Sequence, residues 1–214
     1  MALKIDFMIK QIISSALLLG FSFVLFGCAT APTTFDSEKA QGQWEAKAQV
    51  RDLEKNKSDT VTLEVMAQKN HALRMEVNGT MGVHVASLLM KDSDISYAIH
   101  TQKRFISGPV SAKSLKPLLN VNLDPRWLYS IFFDSPLEGW NCKNSEAGLI
   151  ESCDRADGAK IAWADRNGEK KRITISSTQF EVQVLVKDFT TKVQSPEKAF
   201  SLDAPEGYKR YKLQ

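Results

Sequence analysis

From Trp44 onward, apolar and polar residues alternate with period two, and this restricts the chain to strands with one buried face. Trp44, Ala46, Ala48 and Val50 alternate with Glu45, Lys47, Gln49 and Arg51. Successive side chains of a strand point to opposite sides, so each such run has an apolar face and a polar one. After a turn at 54–58, Val61, Leu63 and Val65 repeat the pattern, followed by Leu73, Met75 and Val77, then Ile95, Tyr97 and Ile99. Met81 to Met90 is more continuously apolar, and Phe105 and Ile106 end this block near Gly108-Pro109. Strands resume at 139–142 and 149–153. Those at 160–164 and 171–176 flank Asp165-Arg-Asn-Gly168, a hairpin signal because Asn-Gly accepts positive φ. Phe180, Val182, Val184 and Val186 form a long alternating strand, and 199–203 reads as a last short one. The period predicts about ten or eleven strands.

The middle of the chain breaks the period. Residues 111–119 and 124–133 read as two short helices, with Asp124 suited to an N-cap and Pro125 to the first helical position. Trp127, Leu128, Ile131 and Phe132 share one apolar helical face. Pro117 should kink or interrupt the first helix. The pattern predicts a mainly β fold with a few helices, a single curved antiparallel sheet covered on one face by those helices.

Residues 1–27 have the parts of a secretory signal: Lys4 and Lys10 ahead of the apolar run 12–26, then the small residue Gly27. Leu25-Phe-Gly-Cys28 resembles the lipobox of bacterial lipoproteins, which implies cleavage before Cys28 and a lipid on its thiol. An uncleaved membrane helix is the other reading of this run, which is short for a span of ~20 residues. Residues 28–42 read as a flexible tether, proline-broken and polar. This leaves 43–214 as one domain. In the lipobox analogy Ala29, rather than Asp, implies sorting to the outer membrane. The expected location is lipid-anchored there and facing the periplasm.

Removing Lys4, Lys10 and Asp6 changes the net charge of the 214-residue chain from +3 to +2. So balanced a chain, without a dense Lys/Arg block, does not point to nucleic acid. Cys142 and Cys153 stand in an exported chain with turn residues Asn144, Ser145 and Gly148 between them. They form either a structural disulfide, favoured in an oxidising compartment, or two free thiols. His71, His84 and His100 are spread one per strand region, none with a metal-ligand spacing. No nucleophile elbow or phosphate loop is present, so neither an enzyme nor a cofactor is indicated. Asn78-Gly79-Thr80-Met81-Gly82 places an apolar residue between two turn glycines. Met81 either protrudes from the turn or opens the buried face of the next strand, in phase with Val83 and Val85.

The run 73–83, the strands to Gly108, Leu115 to Leu119, Arg126-Trp-Leu128 with Pro136, and Phe200 with Pro205-Glu-Gly207 resemble the LolA/LolB type of lipoprotein carrier, closer to the LolB member. In that family a protruding leucine before a turn glycine helps put cargo into the membrane. Met81 before Gly82 matches it, while Gly79-Thr80 departs from the Asn-Pro part of the motif. The resemblance implies a half-open β-barrel and a membrane-insertion loop at Gly79, Thr80, Met81 and Gly82. It also implies an acyl-chain site on the concave face. Val61, Leu63, Val65, Leu73, Met75, Val77, Ile173, Ile175, Phe180, Val182 and Val184 would line it, and Trp127, Leu128, Ile131 and Phe132 would cover it. The same residues would equally form a closed core. The implied partners are a bilayer, acylated lipoprotein or lipid cargo, and a periplasmic carrier as donor, with the protein a monomer. The competing function is a structural or interaction lipoprotein that binds a protein or envelope polymer.

Overall fold

The computed structural model describes residues 40–119, 121–193 and 195–213. The expected signal, Cys28 and residues 29–39 of the tether lie outside the described residues. Six strands come first: β1 (Gln41–Asp52), β2 (Lys57–Gln68), β3 (Ala72–Asn78), β4 (His84–Lys91), β5 (Asp94–Ile99) and β6 (Arg104–Pro109). Each pairs antiparallel with the next. Helices α1 (Lys116–Leu119) and α2 (Trp127–Phe133) follow. A second meander runs through β7 (Asn141–Asn144), β8 (Ile150–Asp154), β9 (Lys160–Asn167), β10 (Lys170–Ser176) and β11 (Phe180–Thr190). Helix α3 (Pro196–Ala199) and β12 (Lys209–Lys212) end the fold. Strand β11 pairs with β1, which joins the two meanders into one twelve-stranded sheet of order β12-β6-β5-β4-β3-β2-β1-β11-β10-β9-β8-β7. The edges β12 and β7 do not meet, so the curved sheet stays open.

The predicted mainly β fold with covering helices is observed, with four differences in detail. Strand β1 begins at Gln41, inside the stretch expected to be tether. Strand β12 runs parallel to β6; its four residues are all exposed, so it carries no alternation to betray it. The strand expected at 199–203 is absent. Pro196 instead opens the turn of α3, and Phe200 packs with Ala72, Leu89 and Val193 on the outer face. The first helix is confined to 116–119, which resolves the difficulty of Pro117: it falls in the first turn, where no amide donor is needed. Asp124 lies ahead of α2 and accepts the Arg126 amide at 3.0 Å.

The inward faces of both meanders and the apolar face of α2 form one core, whose buried residues run from Trp44 to Val186, with Phe189 and Leu213 packed against it. The sheet body therefore carries its own hydrophobic centre. At its heart Trp44, 1% exposed, packs against Phe132, Phe133 and Phe189 at ring distances of 5.4, 5.1 and 5.1 Å. Gly42 permits this cluster: a Cβ there would lie 2.5 Å from Phe189 and 2.6 Å from Trp44. Cys142 and Cys153 are cross-strand partners on β7 and β8 and are joined as a disulfide, which closes the edge hairpin. Among the described residues no helix is long and apolar enough to cross a membrane.

Candidate functional site

Helices α1 and α2 lie over the concave face of the sheet but do not fill it. Between them and the strands remains a cavity of about 70 Å³ with a wholly apolar wall. The sheet contributes Ala48, Val50, Val61, Leu63, Met75, Val77, Leu88, Ile175, Val182 and Val184. The helical segment contributes Leu115, Leu118, Leu119, Leu123, Leu128, Ile131 and Phe132. Period two puts the first group on one face, and the curvature turns that face inward. The free space is small, so a long acyl chain seated in it requires α1 and α2 to move outward.

The structure therefore brings most of the expected acyl-site residues together and sets five apart. Val61, Leu63, Met75, Val77, Leu128, Ile131, Phe132, Ile175, Val182 and Val184 line the cavity. Val65, Leu73, Trp127, Ile173 and Phe180 are buried in the solid core beside it. Sequence reasoning missed the four leucines between 115 and 123, because a proline-interrupted segment shows no clean helical period.

The two ends of the helical cover are held differently. At the C-terminal end of α2, Asp134 adopts a left-handed conformation, φ 50°, and its amide bonds back to the Ser130 carbonyl. Its carboxylate lies 2.7 Å from Lys171 Nζ and 2.8 Å from an Arg166 nitrogen. Arg166 also donates to the Ile150 carbonyl, and Lys171 to the Phe132 carbonyl. This ionic clasp ties α2 to β9 and β10 from within the protein, Lys171 and Asp134 being 1% and 2% exposed. Burial pushes the Lys171 ammonium below its ordinary range, and Asp134 opposes that shift. At the other end, just ahead of α1, the Ser114 carbonyl accepts a buried hydrogen bond from the Tyr97 hydroxyl at 3.0 Å and Ser114 Oγ donates to the Pro109 carbonyl; Leu118 and Leu119 of α1 face the cavity, and Lys116 borders a second, polar cleft with Asp52, Glu54 and Gln179.

The Met81 loop stands at the end of β3. Met81 is 98% exposed and lies in a 3₁₀ turn at φ 62°, ψ 23°. The reading in which it opens a buried strand face is not what the structure shows: β4 begins at His84, and Val83 is itself 52% exposed. A left-handed backbone is unfavourable for a residue with a Cβ, by roughly 1–2 kcal/mol. No packing within the described chain compensates Met81 for it.

No family model matches the chain, and neither does any curated protein. Solved structures do. A LolA superfamily protein from Nitrosomonas europaea superposes with a TM-score of 0.50 at 8% identity, covering 80% of this chain and 99% of that one. The fold is LolA-like. An uncharacterized conserved protein from Thermus thermophilus gives a TM-score of 0.48 at 10% identity, covering 85% of this chain and 95% of that one. A DUF1329 family protein from Desulfovibrio piger gives 0.48 at 9% identity, covering 77% and 90%.

On the outer face of this LolA-like sheet, residues that look scattered in sequence converge. His84 and His100 stack with ring centres 4.1 Å apart. Glu76 accepts hydrogen bonds from Ser87 and Arg74 and lies 2.9 Å from His84 Nε2. His100 sits between Ser87 and Tyr208, at 2.9 Å from each. The set is not a nucleophile relay. Ser87, 2% exposed, gives its proton to the carboxylate, so the nearby imidazole is not placed to take it. Nor is it a metal centre, because Ser87 Oγ occupies the point where Glu76, His84 and His100 converge. Its effect is to fasten Tyr208, and so the approach to β12, onto the sheet.

This network makes stability fall in acid. Burial pushes His100 below its ordinary 6.5, helped by His84 and Arg74. At Glu76 burial acts upward, but Ser87, Arg74 and His84 together hold the carboxyl below its ordinary 4.5. Both groups bind protons less readily folded than unfolded, so their contribution is complete above 6.5. It declines as the pH falls, first against the unfolded histidine and then through the depressed Glu76 value. Melting curves across this range should show a two-stage loss, and Glu76→Gln should remove the lower stage.

Proposed function

We propose that the chain is a lipid-anchored, non-enzymatic carrier of acyl chains, LolB-like in role. It would hold lipoprotein or lipid cargo under α1 and α2 and deliver it into the outer membrane from the periplasmic side. The observation that carries this reading is the wholly apolar cavity beneath the helical cover. A closed core has no use for an unfilled space there, since packing density near that of crystals is the norm. Opening would pivot on the Asp134 clasp, with α1 and the start of α2 moving away from the wall. The holding force is apolar burial, ~0.8 kcal/mol per methylene. A bilayer offers the same burial, so release requires little net work. In this reading Cys28 carries the anchoring lipid, residues 28–40 form the tether, Met81 is the tip that meets the membrane, and a periplasmic carrier supplies the cargo.

The small volume of the cavity favours a second reading, a structural or interaction lipoprotein with no cargo. Mass spectrometry of the purified body, residues 28–214 with Cys28→Ser, separates the two. Co-purifying lipid or acylated peptide supports the carrier. Its repeated absence from folded protein, together with failure to take up added acylated peptide, supports the second.

A further inference from the structure

The disulfide and the start of the helical cover are joined by a short chain of contacts. Cys142 lies opposite Cys153, and Asn141 opposite Asp154, on β7 and β8. One place farther along both chains stand Trp140 and Arg155, with the guanidinium 5.1 Å from the ring centre. Trp140 shares the parity of Cys142, and Arg155 that of Cys153. The disulfide and this pair are therefore successive rungs on one face of the ribbon, the face on which Cys153 is buried. The same guanidinium covers Trp127 at 4.7 Å, and the two indoles meet edge-on with centres 5.0 Å apart. Asp157, in the turn between β8 and β9, pairs with Arg155 and holds it in place.

This bracket sits where the cover must part from the sheet. Trp127 is the first residue of α2, and Leu128, Ile131 and Phe132 behind it line the cavity. Asp134 ties the far end of α2 to Arg166 and Lys171. The start of α2 can then leave the wall only if Trp127 comes out from under Arg155. The backbone ladder beneath the bracket is short. β7 is an edge strand of four residues, and its register with β8 shifts between Lys143 and Asn144. The covalent rung carries the alignment that this ladder does not.

We propose that the Cys142–Cys153 disulfide is a redox-sensitive latch on the helical cover, acting on α2 through Trp140, Arg155 and Trp127. Oxidised, it keeps the guanidinium over both indoles and the start of α2 against the wall. Reduced, the edge strand frays, Trp140 and Arg155 part, and α2 leaves the wall more readily. The reductant is a dithiol. Its thiolate attacks the sulfur of Cys142, which is half-buried on the edge strand, whereas Cys153 is 0% exposed. The Sγ–Sγ bond breaks, and Cys153 leaves as a thiolate and takes a proton. The second thiol of the reductant then displaces Cys142, which takes the other proton, and the reductant closes its own disulfide. Two electrons pass to the protein. The inference rests on the carrier reading for its use, which is to set how easily cargo enters; the coupling from disulfide to α2 stands without it.

The test is amide exchange with and without dithiothreitol on residues 28–214 carrying Cys28→Ser, which leaves Cys142 and Cys153 as the only cysteines. Reduction should quicken exchange in α2 about tenfold, the equivalent of one or two cation–π contacts, while β2 and β3 keep their rates. Cys142→Ala with Cys153→Ala should reproduce this without reductant. Arg155→Gln should quicken α2 to the same extent with the disulfide intact, and reduction should then add little. A fluorescent fatty acid should enter the reduced protein faster than the oxidised one. An α2 unmoved by reduction would overturn the proposal. An equal rise in β2 and β3, or additive effects of reduction and Arg155→Gln, would overturn it by showing a general staple. So would equal entry rates in a protein that binds the probe. Absence of probe binding in both states would remove the carrier reading, and the exchange result alone would then decide the latch.

Discussion

Asp134→Ala should cost about 3–5 kcal/mol of stability and lower the melting temperature by about 10 °C. The carboxylate is 2% exposed and faces two cations, Lys171 at 1% and Arg166 at 18% exposure. Its removal leaves the Lys171 ammonium buried without its carboxylate, facing the Phe132 carbonyl at 3.3 Å. The desolvation of the ammonium then goes without its main compensation, which is why breaking a buried pair costs far more than forming one gains. The loss should be selective in space as well. Asp134 caps the C-terminal end of α2 and Lys171 is the second residue of β10, so amide exchange should quicken first in α2 and less in the β2–β3 region. An effect within the range of an exposed ion pair, ~0–1 kcal/mol, would show that the clasp does not hold the helix.

Met81→Asp should leave fold and cargo uptake intact while abolishing delivery to acceptor vesicles. The side chain is 98% exposed and touches no core, so a carboxylate there strands no buried group. It does place a charge where the proposal requires an apolar contact with lipid. Met81→Gly is the informative companion. Glycine relieves the left-handed backbone at φ 62° but adds freedom to the unfolded chain. Stability should therefore change by no more than about 1 kcal/mol, although a whole side chain is lost. Delivery should fall in this variant too. Unchanged delivery in both would remove Met81 from the mechanism.

Much of the sheet is legible in the sequence, because period two states directly which face of each strand is apolar. It does not state how far a residue lies from the covering helices. Val65 and Val61 share the inward face of β2, yet only Val61 reaches the cavity and Val65 is sealed in the core. The pattern also put a signal at Lys171 that goes unread when only apolar residues are counted. Lys171 precedes Ile173 and Ile175 at the same parity, so the strand turns a lysine inward and a buried acid must answer it. Asp134, far away in sequence at the end of α2, is that acid. The pairing of His84 with His100 depends on the register of β4 with β5, which no local pattern encodes. The exposed strand β12 is invisible for the opposite reason, since with no buried face it leaves no period.

Ala48→Leu tests the cavity most directly, through binding of a fluorescent fatty acid to residues 28–214 carrying Cys28→Ser. Ala48 faces the cavity from β1, and leucine adds three carbons to a space of about 70 Å³. Filling it should raise stability by about 0.5–2 kcal/mol, as cavity-filling changes commonly do. If acyl chains occupy that space, the same substitution should weaken binding at least about tenfold, equivalent to some two methylenes of lost burial. A stabilised variant that binds the fatty acid as tightly as its parent, or a parent that does not bind it, would contradict the assignment of this cavity to acyl chains.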